Sequence, residues 1–196
     1  MGNFQRKAVL GMVAAITIGA AAFMTMGSAH AATAASATPA AQAVPANHTV
    51  RSAPELTAAL SWPIVKQGAT GERVFAIQYL LNARGARLAI DGQFGPATAA
   101  AVRSFQSRSH LQADGQVGPL TWPRLIVQVK QGNTGSAVSG VQHNLRFAYG
   151  FKSVAVDGQF GPATNSAVRS FQARFKIGVD GIVGPTTWNA LIVHEG

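Results

Sequence analysis

The sequence predicts an all-α fold, built as two tandem three-helix units behind an export signal and an unstructured tether. Three observations predict it. Residues 66–85, 91–108 and 114–127 recur at 130–150, 157–174 and 180–193, a self-similarity with a period of 64 to 66 residues. Within each copy, apolar residues fall at helical spacing between Gly and Pro punctuation. Ahead of the copies stand a long apolar run and then an Ala-, Thr-, Ser- and Pro-rich stretch without an aromatic residue.

The first element is the export signal. Arg6 and Lys7 precede an uncharged stretch, residues 8–27, and Ala29-His30-Ala31 supplies a small-x-small cleavage site. The rival reading is an uncleaved anchor, since the run matches a ~20-residue membrane span. Its Ala, Gly and Thr content and the cleavage site behind it favour removal of residues 1–31, with no stable membrane anchor left. Cleavage removes two positive charges and lowers the net charge from +9 to +7. That field favours anionic polymers, and export makes the polymer a wall component and not nucleic acid. Residues 32–61 hold too little apolar surface to offset the entropy of ordering, so they read as a flexible tether.

The two units follow at 62–127 and 128–193. In the first helix Val74, Ile77 and Leu81 form a stripe stopped by Gly85, and Val138, Val141 and Leu145 form its copy, stopped by Gly150. Gly95-Pro96 and Gly161-Pro162 open the second helices, where the missing proline N–H costs nothing. Val102 with Phe105, and Val168 with Phe171 and Phe175, point inward there. Gly118-Pro119 and Gly184-Pro185 open the third, which carry Trp122, Leu125 and Ile126, or Trp188, Leu191 and Ile192. The second unit is two residues longer, and the loop before Asp157 is the expected place for both. No linker separates the units, so contact between them is expected. A unit of this size needs nearly all its apolar residues inside.

Composition removes most chemistries. With no cysteine in 196 residues there is no disulfide scaffold, thiolate zinc site, thiol nucleophile or lipoprotein acylation site. Only seven carboxylates exist, and four of them, Asp91, Asp114, Asp157 and Asp180, each precede a glycine. A hydrolase would pair such carboxylates as acid and base. Their placement before Gly and a Gly-Pro helix start points instead to turns in which Asp caps its own loop. The histidines form neither H-x-H nor H-E-x-x-H, and no G-x-S-x-G elbow appears. No catalytic residue, metal or cofactor is expected.

The strings D-G-Q-F-G-P-A-T-x-x-A-V-R-S-F-Q and D-G-x-V-G-P-x-T-W-x-x-L occur in each copy. So does G-x-x-G-x-x-V-x-x-I/V-Q-x-x-L, from Gly68 to Leu81 and from Gly132 to Leu145. On these motifs the unit resembles the bacterial peptidoglycan-binding domain, a small three-helix module commonly joined to cell-wall hydrolases. The resemblance implies a secreted, wall-associated protein whose partner is peptidoglycan or an associated anionic wall polymer. Because the chain ends three residues after the second copy, no C-terminal catalytic domain is expected.

Polar residues present in both copies are the ligand candidates. Gln amides donate and accept toward acetamido and peptide groups, and Arg pairs with carboxylates. These considerations select Gln93, Arg103 and Gln106 with their copies Gln159, Arg169 and Gln172. Phe94 and Phe160, in the turns before Gly-Pro, either stack on sugar or belong to the core. Gln78 and Gln106 have the alternative role of satisfying buried backbone between helices. The expected function is bivalent, non-enzymatic wall binding. The alternatives are a cell-wall hydrolase, or a regulatory or targeting subunit working with a separate catalytic partner.

Overall fold

The computed structural model describes residues 60–194. The expected signal at 1–31 and nearly all of the 32–61 tether lie outside the described residues. In unit one the helices are α1 (Glu72–Ala83), α2 (Pro96–Arg108) and α3 (Trp122–Leu125). In unit two they are α4 (Ser136–His143), α5 (Pro162–Arg174) and α6 (Pro185–Val193), and α4 runs on into a π-helical turn, Asn144–Ala148. Among the described residues there is no β-strand, only isolated antiparallel bridges such as Val65 with Val117 and Val129 with Val183. These bridges tie the loop leading into each unit to the turn before its last helix.

The predicted stripes form the core. Val74, Ile77, Leu81, Val102, Trp122 and Leu125 are buried in unit one, as are Val138, Val141, Leu145, Val168, Phe171, Trp188 and Leu191 in unit two. Each third-helix Trp also satisfies its indole N–H: Trp122 Nε1 donates to Pro63 O and Trp188 Nε1 to Val127 O, both at 2.8 Å. Trp62, outside the helical stripes, stacks on Trp122 with ring centroids 5.6 Å apart. It covers the edge of the first core.

Two departures from the sequence expectation have identifiable causes. The third helix of unit one does not start at Pro119; it is a single turn from Trp122. Pro123 has no N–H to donate to the Pro119 carbonyl, whereas Asn189 stands at the matching place in α6. The two extra residues of unit two are also not both in the loop before Asp157. Ala86 N donates to Leu81 O, while its counterpart Phe151 N donates to Leu145 O, one residue further along the chain. The first insertion therefore sits inside the helix and is absorbed as the π turn. The second falls in the tight turn at 151–154, where Val154 N donates to Phe151 O.

The units pack through α1 and α4, which run antiparallel. Phe75 stacks on His143 at 4.4 Å, while further along α1 Tyr79 crosses Gly140. A Cβ on Gly140 would stand 2.9 Å from Tyr79 Cβ, so only glycine allows this approach. At one end Glu72 Oε2 lies 3.0 Å from His143 Nδ1. Arg73 Nε donates to Ile192 O at 2.9 Å, placing a cation on the carbonyl end of α6.

Candidate functional site

Four of the eight ligand candidates do not reach the surface. Gln106 and Gln172 are 1% exposed, and Phe94 and Phe160 are 1% and 2% exposed. The physical reason is the turn that precedes each second and third helix. In D-G-x-[FV]-G-P-x-T the Asp carboxylate accepts from the N–H two residues on, at 2.8 to 2.9 Å in all four cases. The glycine after it takes a positive φ, +67° to +76°, which L side chains resist. A buried Gln on the preceding helix closes the turn.

Gln106 shows the pattern. Its Nε2 donates to Asp114 Oδ1, Gln116 O and Thr121 Oγ1, and its Oε1 accepts from Gly115 N. Gln172 does the same with Asp180, Ile182, Thr187 and Gly181. Gln78 and Gln142 hold the first turn of each unit in this way. With both ends engaged inside the protein, the amides of Gln106 and Gln172 have nothing to offer a ligand. Phe94 and Phe160 follow the turn residue into the core.

The other four candidates are exposed. Gln93 borders a shallow cleft with the 67–70 loop. Arg103 and Arg169 lie across the glycines of the second turns, Gly115 and Gly181. Arg169 donates to Val179 O and Asp180 O at 3.3 and 3.0 Å. Gln93 thus belongs to the first turn, whereas Arg103, on α2, reaches the second.

The aspartates of the two first turns, Asp91 and Asp157, are electrostatically set as anions. Gln78 and the Gln93 N–H hold the Asp91 carboxyl below its ordinary range, and the Gln159 N–H and Gln142 do so for Asp157. A general acid in a glycosidase needs the opposite shift. Among the described residues no three of His, Asp and Glu gather in a way that could hold a metal ion.

Besides the cleft beside Gln93, two concave surfaces recur at matching places in the two units. One cleft of about 530 Å³ runs along the leading loop and the start of the first helix, between residues 64 and 74 or between 127 and 137. A second lies between that loop and the turn before the third helix. It measures about 150 Å³ in unit one and 310 Å³ in unit two. Ile64 in unit one and Gln128 in unit two border both clefts of their unit. Sequence reasoning missed this position because it sought residues identical in the two copies. The available signal was the reverse, a difference at one position of an otherwise matching segment.

A family model described as "Putative peptidoglycan binding domain" matches residues 70–125 and 134–191. A "Probable N-acetylmuramoyl-L-alanine amidase" of Bacillus licheniformis is 34% identical over 159 residues, covering 67% of this chain and 45% of the relative. The zinc D-Ala-D-Ala carboxypeptidase of Streptomyces albus G is 39% identical over 117 residues, 59% of this chain and 43% of that enzyme. The chain thus spans less than half the length of these two relatives. A crystal structure of a peptidoglycan-binding protein from Clostridioides difficile is 41% identical, with a TM-score of 0.32, over 32% of this chain and 40% of that one.

Proposed function

The chain belongs to the peptidoglycan-binding domain family, and from that premise we propose that it is a secreted, non-catalytic protein that grips the bacterial wall through both of its units. The observation that carries this reading is the duplication of the clefts. Each unit presents a leading-loop cleft of about 530 Å³ at the same place in its fold, within the ~300–1,000 Å³ range of ligand sites. Two such sites on one chain raise the effective concentration at the second, for a gain of ~10²–10⁴ where both engage. The exposed polar residues Gln93, Gln159, Arg103 and Arg169, which lie outside these clefts, are further wall contacts in this reading.

The test is sedimentation of the protein with insoluble peptidoglycan stripped of anionic polymers, at low salt and at ~0.5 M. Raising the salt shortens the screening length from about 10 Å at 0.1 M to about half that. Retention at the higher salt supports specific recognition. Binding only at low salt leaves a basic protein adhering to an acidic surface, and no binding at either salt ends the wall reading.

The enzymes among the relatives favour a second reading, in which the units target or regulate a separate wall hydrolase. Recovery of a wall hydrolase by the immobilised protein in the absence of wall supports it. The hydrolase alternative is tested by dye release from labelled wall. Release by the parent that is lost in Asp91→Asn and Asp157→Asn would assign those aspartates to chemistry and not to turns.

A further inference from the structure

We propose that the two units are not equivalent binders, and that unit two holds the amide- and hydroxyl-bearing part of the wall glycopeptide, with Gln128 and Thr186 deciding the preference. This rests on the wall-binding reading and adds to it which unit recognises the polymer, and by what groups.

The second cleft is lined from matching positions of the repeat in both units, so its lining can be compared position by position. The side chain at 64 or 128 lies over the glycine that opens the last segment. A Cβ on Gly118 would stand 3.6 Å from Ile64 Cγ1, and one on Gly184 would stand 3.6 Å from Gln128 Oε1. Asp, Gly, Pro and Thr follow at matching places in both. The outward positions differ. Unit one sets Ile64 and Leu120 at the cleft, 66% and 78% exposed. Unit two sets Gln128 and Thr186 there, with Ile182 in place of Gln116 as an apolar wall.

Chemistry and size agree on which unit reads the glycopeptide. That polymer is dense in acetamido groups, peptide amides and hydroxyls, which need donors and acceptors. The Gln128 amide makes no hydrogen bond among the described residues, unlike the latched Gln106 and Gln172, so both of its ends are open to a ligand. Ile64 and Leu120 offer neither, which leaves the half-buried Gln116 as the amide of the unit-one cleft, while unit two pairs the exposed Gln128 with the exposed Thr186. The unit-two cleft, at about 310 Å³, reaches the lower bound of ~300 Å³ for ligand sites, whereas the unit-one cleft at 150 Å³ does not. A few placed polar groups beside apolar walls, here Ile177 and Ile182, is the usual composition of such a site.

The experiment exchanges the linings in the full chain. One variant carries Gln128→Ile with Thr186→Leu, the other Ile64→Gln with Leu120→Thr. Each is sedimented with stripped insoluble peptidoglycan at ~0.5 M salt, and all four positions are on the surface, so unchanged melting midpoints confirm folding. Expected is at least a tenfold loss of affinity in the first variant, with parental or tighter binding in the second. Parental binding by the Gln128→Ile/Thr186→Leu protein, or an equal loss in both variants, overturns the proposal while leaving wall binding intact. A parent that is not retained overturns the wall reading itself, and this inference with it.

Discussion

The Gln106 side-chain amide donates to the Asp114 carboxylate across 2.7 Å, and the same pair recurs as Gln78 with Asp91, Gln142 with Asp157 and Gln172 with Asp180, at 2.6 to 2.8 Å. One latch, used four times, joins every first and second helix to the turn that starts the next. The turn must bring an exposed carboxylate, a carbonyl, a hydroxyl and a buried glycine N–H onto one side chain. A primary amide is the side chain that can donate to and accept from all of them at once. The fold therefore depends on hydrogen bonds that a 64-residue core could not spare.

Truncating one latch is expected to be costly. Gln106→Ala leaves the buried Gly115 N–H without its partner, at about 1–3 kcal/mol, and takes from the Gln116 carbonyl one of its two donors, the Thr121 hydroxyl remaining. The expected loss in urea unfolding is ~2–4 kcal/mol. Gln106→Glu should lose more, because it sets a second carboxylate against Asp114. Gln93→Ala, exposed, should stay within ~0.5 kcal/mol. Equal losses at Gln93 and Gln106 would show that the latch carries no special weight.

This difference between two glutamines also marks what the sequence could reveal. Periodicity located the helices, and the repeat fixed which residues correspond, because burial stripes and Gly-Pro starts are local signals. Gln93 and Gln106 looked alike, since both are polar and both recur. Only the register of α2 against the Asp114 turn turns one inward and leaves the other outside. The short α3 was readable in principle from Pro123, whose missing N–H breaks the ladder. The π turn was not, since a one-residue offset does not say where the chain will absorb it.

At the seam between the units, Gly140→Ala is expected to loosen the packing of one half on the other and so weaken the coupling of their unfolding. The new methyl would meet Tyr79 at Cβ, so no rotamer of Tyr79 relieves the contact and the helices themselves must move. Overpacking of this kind costs about 1–3 kcal/mol, partly offset by the ~1 kcal/mol that Ala gains over Gly in a helix. Calorimetry should show a lower and broader transition, resolving into two with Gly140→Leu. A single sharp transition at the parental midpoint in Gly140→Leu would mean that this contact does not couple the units.

Stability should fall in two steps as pH is lowered. Burial between Phe75 and Phe147 pushes the His143 imidazole below its ordinary pKa, and the Glu72 carboxylate offsets this only in part. The unfolded chain then binds this proton more readily than the folded one. The contribution is complete above the unfolded value of about 6.5 and is lost as pH falls from there toward the depressed folded value. Asp91 and Asp157 are also depressed, so their contribution is lost only below the ordinary carboxylate value of about 3.9. Melting midpoints from pH 8 to 3 should show both steps, and His143→Asn should remove the upper one alone. An unchanged upper step in that variant would assign it to another group.

Lys176 and His110 occupy matching places after α5 and α2, and both take a left-handed backbone conformation, with φ of +54° and +55°. The conformation is imposed by the helix end. Ile177 N donates to Gln172 O and Leu111 N to Gln106 O, which requires the intervening residue to reverse its twist. A side chain there costs roughly 1–2 kcal/mol, and glycine would avoid that cost while losing about 0.5–1 kcal/mol in unfolded-state entropy. The net expectation for Lys176→Gly is a gain of ~0.5–1 kcal/mol, visible as a rise of several degrees in the melting midpoint. His110→Gly should match it. A stabilised Lys176→Gly protein that sediments with wall as the parent does would show that this residue closes a helix without contacting the polymer. Lost binding despite the higher midpoint would place Lys176 among the wall contacts, beside Ile177 at the rim of the unit-two cleft.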